Sequence, residues 1–308
     1  MRLEIVLQPP LHQTTTLPAN YQFQLAAWLS KLLNNPSAEF MQRLHQNAYL
    51  QPNETKFDAF TFSPLQANDE KYVFTLSLCV DNSFEYVLKS IFYEQSIDFK
   101  ADNDQITPLS IWTISRLPDP NWDKDDLVSL RFRCVSPLYL HRKDNTADIV
   151  QPNQRGFKTK LLGNLVDKFL ALRHYLPATE QQEHTPAEPP PTTYVAAPIE
   201  QMPTAMPQWQ SVQPVRQTIS KRQSWLKSVL PSNVVYAFKL LSEPKTVVLN
   251  NNNEIKNIPM LYEYIFELTA PTQLLRVGYE AGFGENTSMG FGFVEAINEQ
   301  QDLSDKTC

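Results

Sequence analysis

One order of elements occurs twice along this chain, and that repetition restricts the fold more than any single residue does. Residues 2–7, "RLEIVL", set Leu3, Ile5 and Leu7 against Arg2 and Glu4, the period-two alternation of a half-buried strand. "YQFQLAAWLSKLL" then spaces Tyr21, Leu25, Trp28, Leu29 and Leu32 along one helix face. Asn35-Pro36 reads as a cap with proline in the first turn, opening a short helix "SAEFMQRLHQNA". "AFTFSPL" and "KYVFTLSLCV" read as strands, the second with Tyr72, Phe74, Leu76, Leu78 and Val80 on one face. "SFEYVLKSIFYEQ" reads as a helix and "ITPLSIWTISRL" as a strand, before the acidic stretch "PDPNWDKDD".

The order then starts again. "LVSLRFRCV" alternates Leu130, Phe132 and Cys134 against Arg131 and Arg133, and "FKTKLLGNLVDKFLALRHY" is a long amphipathic helix. "VVYAFKLL" and "LYEYIFELT" are strands, "TQLLRVGY" a short helix and "GFGFVEAI" a final strand. Strand–helix–strand–strand–helix–strand is the ferredoxin-like order. The expected class is therefore α+β, with tandem ferredoxin-like (RRM-like) domains over 1–122 and 123–300 and a tail at 301–308. Ser-Pro-Leu at both 63–65 and 136–138 agrees weakly with a duplicated architecture.

Residues 177–214 fit neither unit. They hold nine prolines, no glycine, no Lys or Arg and no periodicity, so they bury too little to offset the entropy of ordering. The segment reads as a proline-rich insert in the second unit.

Hydrophobic residues make up 42% of the chain, enough for two cores, and no run approaches a membrane span of about 20 apolar residues. "MRLEIVLQPP" lacks the apolar core of a signal peptide, so a cytoplasmic protein with no membrane partner is expected. Cys79, Cys134 and Cys308 are too scattered for a zinc site or a disulfide framework, so no metal and no cofactor are expected. A net charge of −6 argues against a general nucleic-acid binder. The charge is uneven, however. Residues 155–173 carry five basic residues against Asp167, and 211–242 carry Arg216, Lys221, Arg222, Lys227 and Lys239 with no acid. Solvated helix faces are the plainer reading; a confined RNA track is the other, because counterion release rewards local phosphate contacts.

Five of the seven glycines in the chain, Gly278, Gly282, Gly284, Gly290 and Gly292, fall within residues 277–294. Glycine is required where φ is positive or where a backbone or phosphate comes close. A phosphate loop needs Lys then Ser or Thr after its second glycine, which "GENTSMGFG" lacks. A dinucleotide fingerprint follows a strand and opens a helix, the reverse of the order here. Two readings remain: a long bulged turn packed with Phe283, Phe291 and Phe293, or a loop of backbone N–H groups against an RNA backbone.

"LLRVGYEAGFGENTSMGFGFV" resembles the C-terminal glycine-rich signature of the CRISPR repeat-processing endoribonucleases, a branch of the RAMP superfamily. "MRLEIVL", "LHQNA" and "FTFSPL" extend the resemblance more weakly, and the 177–214 insert departs from it. The resemblance implies metal-independent cleavage of CRISPR repeat RNA, with the ribose 2′-hydroxyl attacking the adjacent phosphate to leave a 2′,3′-cyclic phosphate and a 5′-hydroxyl. Such chemistry needs a general base, a general acid and positive charge on the phosphate. It places the catalytic histidine at His45, in "RLHQNA", rather than at His12, His141, His174 or His184. A site near a helix C-terminus favours a protonated imidazole. Lys56 matches a lysine that stabilises the phosphate in some relatives, with a two-residue offset. Ser30 stands where some relatives carry a helix tyrosine, leaving Tyr21 and Tyr49 as replacements, each also readable as packing. RNA binding is implied for Gly282, Gly284, Asn286, Ser288, Gly290 and Gly292, with Arg216, Lys221, Arg222 and Lys227 from the acid-free tract. The alternative is a catalytically silent RAMP subunit that only binds RNA. Other CRISPR effector subunits and a second copy of the chain are the further partners left open.

Overall fold

The structure is a computed structural model describing residues 1–10, 16–33, 59–68, 70–80, 82–101, 103, 105–120, 122, 127–141, 150–172, 236–247 and 261–297. The first sheet is built around β1 (Arg2–Gln8), which pairs antiparallel with β4 (Lys71–Leu78) on one side and β6 (Ile106–Leu117) on the other. β2 (Phe60–Phe62) and β3 (Gln66–Asn68) both pair with β4, and β5 (Ser96–Lys100) closes the far edge on β6. Strands β6, β1, β4 and β2 thus stand in the ferredoxin-like order, with β5 as an added edge.

Leu3, Ile5 and Leu7 point to the same side as Phe74, Leu76 and Leu78 across the register, as the alternation requires. Helices α1 (Tyr21–Leu33) and α2 (Glu85–Phe92) supply Leu25, Leu29, Leu33, Leu88 and Phe92 to that core. The opposite face of the sheet carries Glu4, Val6, Val73, Thr75, Thr113 and Ser115, partly or fully exposed.

The second sheet repeats the plan. β7 (Val128–Cys134) lies between β11 (Ile265–Ala270) and β12 (Val294–Ile297), and β8 (Ala237–Leu240) pairs with β11, giving the order β12-β7-β11-β8. β9 (Lys245–Val247) and β10 (Leu261–Glu263) pair as a separate ribbon that continues the β8–β11 hairpin. Helix α3 (Phe157–Leu172) gives Phe157, Leu161 and Leu165 to the second core. Helix α4 (Thr272–Ala281) serves both cores: Leu274, Val277 and Ala281 enter the first, while Leu275 and Tyr279 enter the second. Those two stripes follow from 3.6 residues per turn on a helix that is buried over most of its circumference.

The tandem ferredoxin-like architecture read from the sequence is the one observed. Three local differences have simple causes. β5 escapes notice because "SIDFK" has only Ile97 and Phe99 as buried alternates. "LYEYIFELT" is two strands broken at Tyr264, whose ring turns inward to the second core. The final strand begins only at Val294, because the two glycines before it carry left-handed φ angles. The expected helix over 37–48 and the insert 177–214 lie outside the described residues.

Candidate functional site

Helix α4 ends at Gly282, and the chain then loops through Phe293 before entering β12. Gly282, Gly284, Gly290 and Gly292 all have φ between +67° and +86°, and Asn286 has φ +55°. At Gly292 a Cβ would strike the backbone carbonyl of Phe283, and at Gly284 the carbonyl of Tyr139. Both positions therefore require glycine twice over, by conformation and by close approach. The loop folds back on itself: Phe283 N–H donates to Gly292 O at 2.9 Å, and Gly292 N–H to Pro137 O at 2.9 Å. Glu285 N–H donates to Tyr139 O at 2.8 Å, and Phe293 N–H to the Ser136 hydroxyl at 2.9 Å. The second Ser-Pro-Leu, 136–138, thus braces the glycine segment. Phe283, Phe291 and Phe293 are buried, as the bulged-turn reading requires.

The first unit holds the same segment through a row of polar side chains. Thr61, Ser77 and Arg2 lie side by side on β2, β4 and β1, on the face that α1 and α2 leave free. The Thr61 hydroxyl donates to Phe291 O at 2.9 Å and the Ser77 hydroxyl to Tyr279 O at 3.1 Å. Arg2 donates to Tyr279 O at 2.8 Å, to Val294 O at 2.7 Å and to Ser77 Oγ at 3.2 Å. Its guanidinium also stacks 3.4 Å from the Tyr279 ring centroid and 4.4 Å from that of Phe293. Burial pulls Arg2 down to about 10, against the opposing pull of Tyr279, Glu295, Glu280 and Asp119, so it remains a cation at neutral pH. From α1, Gln22 Nε2 donates to Met289 O at 3.0 Å, and Phe62 fills the space beside Gly290.

Two more buried ions fix the C-terminal end of α4. Lys168, 1% exposed, reaches from α3 to donate to Gly282 O at 2.6 Å, capping the carbonyl end of the helix. Glu280 accepts from the Met1 amine at 2.9 Å and from Arg276 Nε at 3.1 Å. Beside it, burial, reinforced by the Glu280 carboxylate, pushes the Cys79 thiol up.

The expected RNA-contacting residues thus divide in two. Gly282, Gly284, Gly290 and Gly292 are buried, whereas Asn286 is exposed and Ser288 half-buried at the outer rim of the turn. Around that rim stand Tyr139, stacked 6.2 Å from Phe291, and His141, whose backbone N–H donates to Glu285 Oε2 at 3.3 Å. Burial, with the Glu285 carboxylate adding to it, raises the Tyr139 phenol above its ordinary value, so it stays a donor at neutral pH. His45, Lys56, Tyr49, Arg216, Lys221, Arg222 and Lys227 lie outside the described residues. Ser30 is half-buried on α1, and burial raises the Tyr21 phenol, with a Leu65 backbone contact opposing.

Sequence reasoning passed over Arg2, Thr61, Ser77 and Lys168. Arg2 sits on the polar side of β1 and reads as solvated, and Lys168 reads as part of a basic helix face, yet both are buried. Arg131 pairs with Glu267 across the strands at 3.1 Å. Among the described residues, no group of three or more His, Cys, Asp and Glu is placed to hold a metal, and no helix is long and apolar enough to cross a membrane.

Comparison with known proteins bears out the resemblance read from the glycine segment. Residues 212–296 match the family described as CRISPR associated protein Cas6, C-terminal. The CRISPR-associated endoribonuclease Cas6 1 of Methanocaldococcus jannaschii is 22% identical over 319 aligned positions, covering 99% of this chain and 96% of that protein. A solved structure named CRISPR associated protein Cas6 superposes with a TM-score of 0.56 at 22% identity, covering 97% of this chain and 99% of the other. A second, described as an RAMP protein binding different RNA substrates, gives a TM-score of 0.54 at 15% identity over 97% of this chain and 100% of its own. The two structures share the fold of this chain.

Proposed function

We propose that this protein is an endoribonuclease that cuts CRISPR precursor RNA within its repeats to release guide RNAs. The observation that carries the reading is the glycine segment, matched by the Cas6 C-terminal family and clamped between the two ferredoxin-like units. A similar protein, aligned over 99% of this chain and 96% of its own, is named as a CRISPR-associated endoribonuclease, and a structural relative is described as binding RNA.

The reaction starts from the ribose 2′-hydroxyl. Its oxygen forms a bond to the adjacent phosphorus as the P–O5′ bond breaks, giving a 2′,3′-cyclic phosphate and a 5′-hydroxyl. One group removes the 2′-proton, another protonates the departing 5′-oxygen, and a cation steadies the phosphorane charge. The nucleophile belongs to the RNA, so the reaction requires no metal-bound water. His45 is the acid–base residue and Lys56 the phosphate cation. Asn286 and Ser288, at the rim of a turn that the burial of its four glycines makes rigid, contact the RNA beside the cut. Arg216, Lys221, Arg222 and Lys227 hold the flanking phosphates. The chain divides at 122/123 into the unit that carries His45 and the unit that carries the turn.

The test incubates a CRISPR-repeat RNA with wild type and His45→Ala in excess EDTA, and measures binding of both in parallel. One cut per repeat by wild type, with binding but no cutting by His45→Ala, supports the assignment. RNA bound tightly by wild type but left whole would favour the silent RAMP subunit instead.

A further inference from the structure

At the end of the first sheet away from the glycine turn, the face that α1 and α2 leave free carries a tryptophan in the open. Trp112 is 60% exposed. The pairing of β1 with β6 passes from Val6↔Thr113 to Leu7↔Ile111, so Trp112 is the extra residue of a β-bulge with no partner on β1. Bulges re-aim a side chain and are kept where that aim is useful. Ile111 packs toward the helices and Thr113 lies opposite Val6 on the other face, so the bulge lends this face a ring that simple alternation would not supply. From the opposite side of β1, Lys71 on β4 reaches across to set its ammonium 4.7 Å from the Trp112 ring centroid. Lys71 neighbours Tyr72, which packs into the helix-side core, so Lys71 points to the face that α1 and α2 leave free. No other aromatic or cationic partner of the Trp112 ring is found among the described residues.

An exposed indole backed on one side by an ammonium, on a sheet surface whose other partly or fully exposed side chains include Glu4, Thr113 and Ser115, suits one kind of occupant. A nucleobase stacks on the free face of the ring, while its phosphate meets the ammonium of Lys71. Sheets of this topology offer such platforms to unpaired bases rather than to duplex, because only an unstacked base exposes both faces.

We propose that Trp112 and Lys71 form a stacking site for one unpaired nucleotide of the RNA, separate from the glycine turn. The inference rests on the reading of the protein as an RNA-binding one. The site adds affinity and sets the register of the strand on the protein, without touching the bond that is cut.

The test measures binding of a fluorescein-labelled CRISPR-repeat RNA, and of a set of the same RNA with a single abasic site at each unpaired position. Trp112→Ala is expected to weaken binding about ten-fold, the effect of losing one base–aromatic stack, with Trp112→Phe retaining most of it. In wild type, one abasic position should cost about the same, and in Trp112→Ala that position should cost nothing further. The exposed position leaves folding intact, checked by circular dichroism. Wild-type affinity in Trp112→Ala, or an abasic penalty that persists in full in the mutant, overturns the site while the RNA-binding reading stands. Failure of wild type to bind the repeat overturns both. Unchanged RNA affinity with altered sedimentation assigns the face to a second copy and likewise overturns the proposal.

Discussion

Replacing Gly292 by Ala separates the two readings of the glycine segment. The residue has φ +67°, where an L side chain costs about 1–2 kcal/mol. The new Cβ would meet the Phe283 carbonyl, a backbone atom that cannot rotate away. Overpacking of this kind costs about 1–3 kcal/mol. Any shift that relieves it strains the Phe283 N–H to Gly292 O bond and the Gly292 N–H to Pro137 O bond, and the loss of one costs about 1 kcal/mol. The expected destabilisation is therefore about 3–6 kcal/mol, large beside a typical stability of about 5–15 kcal/mol. Urea unfolding followed by circular dichroism reads it as a clear fall in midpoint. Asn286→Ala, exposed at the rim of the same turn and already carrying a Cβ at φ +55°, should lower stability by no more than about 1 kcal/mol while weakening RNA binding. Wild-type stability in Gly292→Ala would refute the packing argument and return the glycine to a role in ligand approach.

The two buried thiols predict sensitivity to alkali. Cys134 is pushed by burial from 9.0 up to about 12, and Cys79 is pushed up as well, by burial and then by Glu280. In the unfolded chain both ionise near 9.0, so above that pH the unfolded state binds fewer protons than the folded one and stability falls as pH rises. The slope is about 1.4 kcal/mol per pH unit for each thiol, present from pH 9 upward and absent below pH 8. Urea midpoints at pH 8 to 11 should fall less steeply in Cys79→Ala/Cys134→Ala than in wild type; parallel curves would contradict the assignment. For RNA, neutralising Arg216, Lys221, Arg222 and Lys227 together should reduce the slope of log affinity against log salt by about 3 if all four meet phosphates of a single strand. An unchanged slope would make them a solvated face.

Strand and helix order was legible because alternation and helical spacing are local properties, set where each element buries one face. The two ferredoxin-like units follow from them directly. What stayed hidden depends on contacts distant in the chain. Arg2 and Val294 O are 2.7 Å apart in space but at opposite ends of the sequence, and nothing near Arg2 announces its burial. Lys168 looks solvated until the carbonyl end of α4 is brought to it. The glycine segment was legible as special from composition alone, but its division into a buried frame and an exposed rim at Asn286 and Ser288 required the neighbouring phenylalanines in place. Trp112 sat within a run that reads as a plain strand; only the register against β1 reveals the bulge that turns it outward.

The most direct test of the proposed activity is a CRISPR-repeat RNA carrying one 2′-deoxy nucleotide at the cut, incubated with wild type in excess EDTA beside the all-ribose RNA. The account predicts that the all-ribose substrate is cut once per repeat to a 2′,3′-cyclic phosphate and a 5′-hydroxyl, while the deoxy substrate binds equally well and remains whole. Cutting of the deoxy substrate, or ends bearing a 5′-phosphate, would mean that water rather than the ribose is the nucleophile and would contradict the mechanism.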